Sequence, residues 1–128
     1  MEPLPEKANL AAEIVVDAAL TVHRALGPGL LESVYEVCLA HELEKRGVRV
    51  LRQIALPVLY DGVRLDAGLR LDMLVDDCLV VELKAVEQIL PVHHAQLLTY
   101  LKLTGHRLGL LINFNTPLIR DGIRRVVL

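Results

Sequence analysis

Apolar residues recur along this chain with two different periods, and the changes of period divide it into elements. Leu10, Ile14, Ala18, Val22 and Leu26 come at four-residue steps, with Glu13, Asp17 and Arg24 off that stripe. This is the pattern of an amphipathic helix. Asn9 is its expected N-cap, which leaves residues 1–8 as a short flexible lead. Gly27-Pro28-Gly29 ends the helix. A second helix is expected from Leu30 to Arg46, stopped by Gly47. Leu31, Val34, Cys38 and Leu43 suit its core side, and Glu32, Tyr35, Glu36 and Leu39 form a neighbouring strip.

The period then falls to two. Val48, Val50, Ile54, Leu56, Val58 and Tyr60 alternate with Arg49, Gln53 and others, which predicts a strand. Pro57 marks that strand as an edge or the site of a bulge. Asp61-Gly62 is a hairpin turn. The strand after it runs to Val75, with Gly68 as a bulge or bend. Asp76-Asp77 turns the chain again, and Cys78–Lys84 is a third strand. Pro91 opens a third helix that reaches Thr104, and Gly105 closes it. Arg107–Phe114 is apolar almost throughout, as in a strand covered on both faces. Thr116-Pro117 and Asp121-Gly122 are turn signals, and Ile123–Leu128 is a last short strand. The order α-α-β-β-β-α-β-β predicts an α/β (α+β) domain over residues 9–128, one mixed sheet flanked by helices.

Composition narrows the picture. The chain has 128 residues, one domain's worth. It is 53% hydrophobic but only 3% aromatic, so Leu, Val and Ile must build the core. So many aliphatics in a small domain leave surface to cover, which favours a homodimer. No apolar run approaches the ~18–20 residues of a membrane helix. The first residues lack the basic start and apolar stretch of a signal peptide. Cys38 and Cys78 make neither a disulfide framework nor a zinc spacing and are expected as buried thiols. A reducing cytoplasm is the expected compartment. The net charge of -2 is uneven: residues 1–83 carry 8 Lys/Arg against 14 Asp/Glu, and residues 84–128 carry 6 against 2. The second part, with Arg124 on the last strand, could present a basic face to a polyanion.

The candidate chemistry lies on the second and third strands. Glu82 and Lys84, two apart, share one face of the third strand. Burying them costs of order several kcal/mol unless they are paired or used. Asp72, between Leu71 and Met73, is a second such intrusion. A salt bridge from Lys84 would account for one carboxylate and leave the other. Register decides whether the two acids meet. A two-residue turn at Asp76-Asp77 sets Asp72 opposite Val81, with Glu82 on the wrong face. One more residue in the turn sets Asp72 opposite Glu82 and Leu74 opposite Val80. Directly opposed Cβ atoms are about 4.5–5.5 Å apart. Carboxylates that close repel each other but chelate a hard divalent cation.

The third helix adds Gln96 and Tyr100 at i and i+4, with His93 one turn earlier. Taken alone, a Gln and a Tyr there suit a solvated flank, and Glu32 suits a helix-start carboxylate beside the dipole.

Longer segments carry a resemblance. Gly29-Leu30-Leu31-Glu32-Ser33-Val34-Tyr35 matches the signature of the GxxExxY protein family. Arg70-Leu71-Asp72, Val81–Val86, Ala95–Leu101 and Gly109–Phe114 resemble that family too, in order over residues 8–128. The family is assigned to the PD-(D/E)XK nuclease superfamily. Asp72…Glu82-Leu83-Lys84 is similar to the superfamily's core motif, with Leu71 where Pro is common. Gln96…Tyr100 is similar to the QxxxY element of its RecB-like branch.

The resemblance implies a restriction-endonuclease-like sheet with a Mg²⁺ or Mn²⁺ site at its centre. Asp72 and Glu82 would be metal ligands, the Leu83 carbonyl would complete the shell, and Lys84 would position or activate the attacking water. Glu32 would contribute through metal or water. Tyr35, His93, Gln96, Tyr100 and Arg124 would line the site or hold nucleic acid, with DNA the favoured substrate. The expected function is metal-dependent phosphodiester hydrolysis. A non-catalytic nucleic-acid- or protein-binding module on the same fold is the alternative.

Overall fold

The computed structural model describes residues 2–128. Its elements are α1 (Glu6–Leu26), α2 (Glu32–Lys45), β1 (Val50–Tyr60), β2 (Val63–Val75), β3 (Leu79–Lys84), α3 (Pro91–Thr104), β4 (Leu108–Asn113), a 3-10 turn (Ile119–Gly122) and β5 (Ile123–Val127). The strands form one mixed sheet in the order β1-β2-β3-β4-β5. Only β3 and β4 are parallel, so the chain must cross over between them, and α3 is that crossover. α1 and α2 bury the larger core against one face of the sheet, and α3 covers a smaller core on the other. This is the expected α+β order. Among the described residues, no helix is long and apolar enough to cross a membrane.

Both N-terminal helices turn to the core a strip other than the expected one. α1 starts at Glu6, where the Pro5 carbonyl accepts from the Ala8 and Asn9 amides. Asn9 is therefore not the N-cap; its side chain accepts from Arg125 instead. The buried strip of α1 is Ala8, Ala11, Ala12, Val15, Ala18, Ala19 and Val22, while Leu10 is half exposed. Small side chains let a helix axis lie close to the sheet, and that contact outweighs burying a few larger residues farther off. On α2 the strip Tyr35, Glu36, Leu39, Ala40 and Leu43 is buried, and Leu31 is 74% exposed. Tyr35 decides this: its ring stacks on Phe114 with centroids 4.5 Å apart. Cys38 and Cys78 are free and only half-buried.

The β1–β2 ribbon has two irregularities. Near its tip the register slips between Leu56 and Val58, so Pro57 of this edge strand faces the bulged Asp66–Gly68. Gly68 has φ 76°, which a side chain would resist. The second irregularity is at Gln53, whose φ is 51°. On either side of it Arg52 pairs with Met73 and Ile54 with Leu71, which sets Gln53 opposite Asp72. In a regular strand residues two apart share a face. Here Val50, Met73 and Val75 pack into the α1/α2 core, whereas Ile54, Leu56, Leu69 and Leu71 pack under α3. The ribbon turns over at Gln53 and Asp72.

Candidate metal centre

The β2–β3 ladder runs Val75 to Leu79, Leu74 to Val80 and Met73 to Val81. It is the longer-turn register, and Asp72 comes next, opposite Glu82. At that point side chains replace the main-chain ladder. The Asp72 amide donates to Glu82 Oε1 at 3.1 Å, and the Leu83 amide donates to Asp72 Oδ2 at 2.8 Å. Amide and carbonyl of one residue in an extended strand point the same way. The Leu83 carbonyl therefore lies on the same seam, where β2 has parted from β3.

Glu82 and Lys84 point to the α3 side, in line with Val80 of the α3 core. Lys84 Nζ donates to Gln96 Oε1 at 3.4 Å. Tyr100, one turn on, is almost fully buried. Burial, then the charges of Glu82 and Asp72, pushes its hydroxyl up. The loop between Lys84 and α3 is held by Asn113, which pairs with Lys84 across the parallel ladder. The Asn113 amide accepts from Val86 N at 3.1 Å and donates to Val86 O at 2.9 Å. Thus β3, its exit loop and α3 present Glu82, Lys84, Gln96 and Tyr100 as one unit.

The electrostatics are those of crowded, half-desolvated acids. Burial first, then the Asp72 charge, pushes Glu82 up to about 8, with Lys84 opposing. Burial raises Asp72 as well, and Glu36 adds to the rise, while the Leu83 amide and Lys84 oppose it. Glu32 is exposed at the start of α2. Partial loss of its water raises it, then the Asp72 charge, while Lys84 lowers it. So Glu32 of α2 and Tyr100 of α3 both feel Asp72, one from each wall. Among the described residues no three His, Cys, Asp or Glu side chains cluster as a ready-made ligand set. Two acids and a free carbonyl on one seam, with each carboxylate destabilised as an anion, suit a hard divalent cation.

The remaining candidates lie apart from this seam. Tyr35 is fully buried; its hydroxyl donates to Gly27 O at 2.6 Å and accepts from Leu30 N at 3.1 Å, which ties down the loop leading to Glu32. His93 Nδ1 accepts from the Leu90 amide at 2.9 Å and caps α3. Arg124 of β5 is paired with Leu111 of β4 and donates to the carbonyls of Asp121 and Ile123. A cavity of about 630 Å³ between α1 and the segment 117–123 contains none of the site acids.

Glu36 is the acid that sequence reasoning passed over. It is buried and accepts from Gln53 Nε2 at 2.6 Å and Arg52 Nη2 at 3.0 Å. Its spacing of four from Glu32 was the available signal, since it places both acids on one helix strip.

A mixed sheet that parts beside two strand-borne acids and a lysine, with helices walling both sides, suits a site for a hard cation. The family comparison agrees: a model of the PD-(D/E)XK nuclease superfamily matches residues 9–126, and the chain belongs to that superfamily. Its nucleases generally use divalent metal ions. Neither the curated proteins nor the solved structures give a match.

Proposed function

We propose that this protein is a Mg²⁺- or Mn²⁺-dependent nuclease of the GxxExxY family, on the RecB-like branch, with DNA as its substrate. The observation that carries the reading is the Asp72–Glu82 seam, two partly desolvated carboxylates at the point where β2 leaves β3. Asp72, Glu82 and the Leu83 carbonyl would hold the cation, which lowers the pKa of water and neutralises charge on the phosphate. Lys84, presented by Gln96, positions the attacking water or a phosphate oxygen. Glu32 acts from the opposite wall through a water. Tyr100 and Gln96 form the α3 wall along which the substrate strand lies. Arg124 and the other basic residues of the second part attract the phosphate backbone. A cytoplasmic homodimer would bring two such sites to opposite strands of a duplex.

The test is cleavage of labelled DNA and RNA, single- and double-stranded, with Mg²⁺, Mn²⁺ or EDTA. Asp72→Asn, Glu82→Gln and Lys84→Ala are each expected to lower the rate by roughly 10²-fold or more. Because the three act as a unit, double variants should be little worse than singles. Undiminished cleavage by Glu82→Gln would assign the activity to another site. Metal binding with no cleavage of any substrate would leave a non-catalytic binding module.

A further inference from the structure

Among the described residues, the one non-glycine residue inside a strand with a left-handed backbone is Gln53, and it stands opposite Asp72. Such a conformation is unfavourable outside glycine and persists where the surroundings enforce it. Here the enforcing contacts are visible. The Gln53 side chain donates to the buried Glu36 at 2.6 Å. Its carbonyl accepts from Arg70 Nη1 at 3.2 Å. Neighbouring Arg52 donates to the same Glu36 carboxylate at 3.0 Å. Three bonds therefore fix the residue at which the β1–β2 ribbon turns over.

The turning point matters because of what it does to Asp72. Without it, Leu71 and Met73 would share a face, and Asp72 would project squarely from the other face of the ribbon. With it, Leu71 packs under α3 and Met73 against the α1/α2 core. Asp72 sits on the crossing between them, its carboxylate turned along the seam onto the Leu83 amide.

We propose that Gln53 is a positioning residue: its left-handed backbone, anchored on Glu36, sets the Asp72 carboxylate on the β2–β3 seam. Its consequence for metal affinity rests on the nuclease reading above; its consequence for Asp72 does not.

Two variants separate the backbone from general stability. Gln53→Val is β-branched and resists positive φ; Gln53→Asn accepts it readily. The metal-free protein is read first, by amide hydrogen exchange. Gln53→Val should expose the Leu83 amide at least tenfold relative to wild type, with Val81 and Leu110 unchanged, and Gln53→Asn should restore most of its protection. Calorimetric titration with Mn²⁺ is read second. Affinity should fall at least tenfold in Gln53→Val and stay within about threefold of wild type in Gln53→Asn. If Gln53→Val does not fold, Gln53→Ala takes its place against the same asparagine control. Wild-type protection of Leu83 in the folded valine or alanine variant would overturn the proposal. So would equal loss in the valine and asparagine variants. A wild-type protein that takes no Mn²⁺, with the exchange contrast intact, would sink the metal reading and leave the positioning role standing.

Discussion

At the scale of single residues, the acids of the seam tie folding to pH. Glu82 is pushed up to about 8 from a reference of 4.5, so between those values the folded protein keeps a proton that the unfolded chain has lost. This contribution is complete below the lower value and is lost as pH rises through the upper one. The raised Asp72 acts in the same direction. The melting temperature of EDTA-treated protein is therefore expected to fall from mildly acid pH towards pH 8, and Glu82→Gln should flatten that fall. At neutral pH the same variant should stabilise the metal-free protein by about 1 kcal/mol or more, since glutamine spares the cost of taking up a proton well above the ordinary carboxylate range. A metal-free melting curve of Glu82→Gln no higher than wild type would contradict this account. The sequence made these acids legible because Asp72 and Glu82 interrupt apolar strands. For Glu36 the sequence marked only the strip it shares with Glu32, not its two partners about sixteen residues away.

Elements were easier to read by type than by orientation. The four-residue steps located α1 and α2, yet both turn a different strip to the sheet. A period cannot say whether alanines packed close will outweigh leucines held farther off. Alternation likewise located β1 and β2 but not the reversal at Gln53, because a left-handed φ at glutamine leaves no compositional trace. In β3–α3–β4 the register and the parallel pairing connect Glu82 and Lys84 to Gln96 and Tyr100. The exit loop between them is held to β4 by the Asn113 side chain. Asn113→Ala would leave both polar groups of Val86 without these partners, at about 2–3 kcal/mol. Its melting temperature should drop accordingly, and Lys84→Ala, which breaks no such joint, should melt close to wild type. Equal melting of the two variants would show that the loop needs no clamp.

For the whole molecule, the exposed aliphatics matter most. Leu10, Val16, Leu26 and Leu118 are each more than a third exposed. Val16 and Leu118 line the cavity beside α1, with Leu20 and Ile123. A second copy is the expected cover, and sedimentation equilibrium at micromolar concentration should report a dimer that Leu118→Glu dissociates. A wild-type monomer under those conditions would refute it.

The slipped register at Pro57 has a consequence for how copies meet. β1 is an eleven-residue strand with one edge unpaired, a surface on which another chain could begin stacking without limit. Pro57 supplies no amide there, and the bulge across from it bends the ribbon. Growth by strand addition is thereby halted a few residues from the hairpin tip. Replacing Pro57 with Val would restore the amide. That variant should fold, and on gentle heating it should scatter light earlier than wild type and bind thioflavin T. A variant that shows neither effect would mean that the shape of the outer strand is not what keeps copies from stacking.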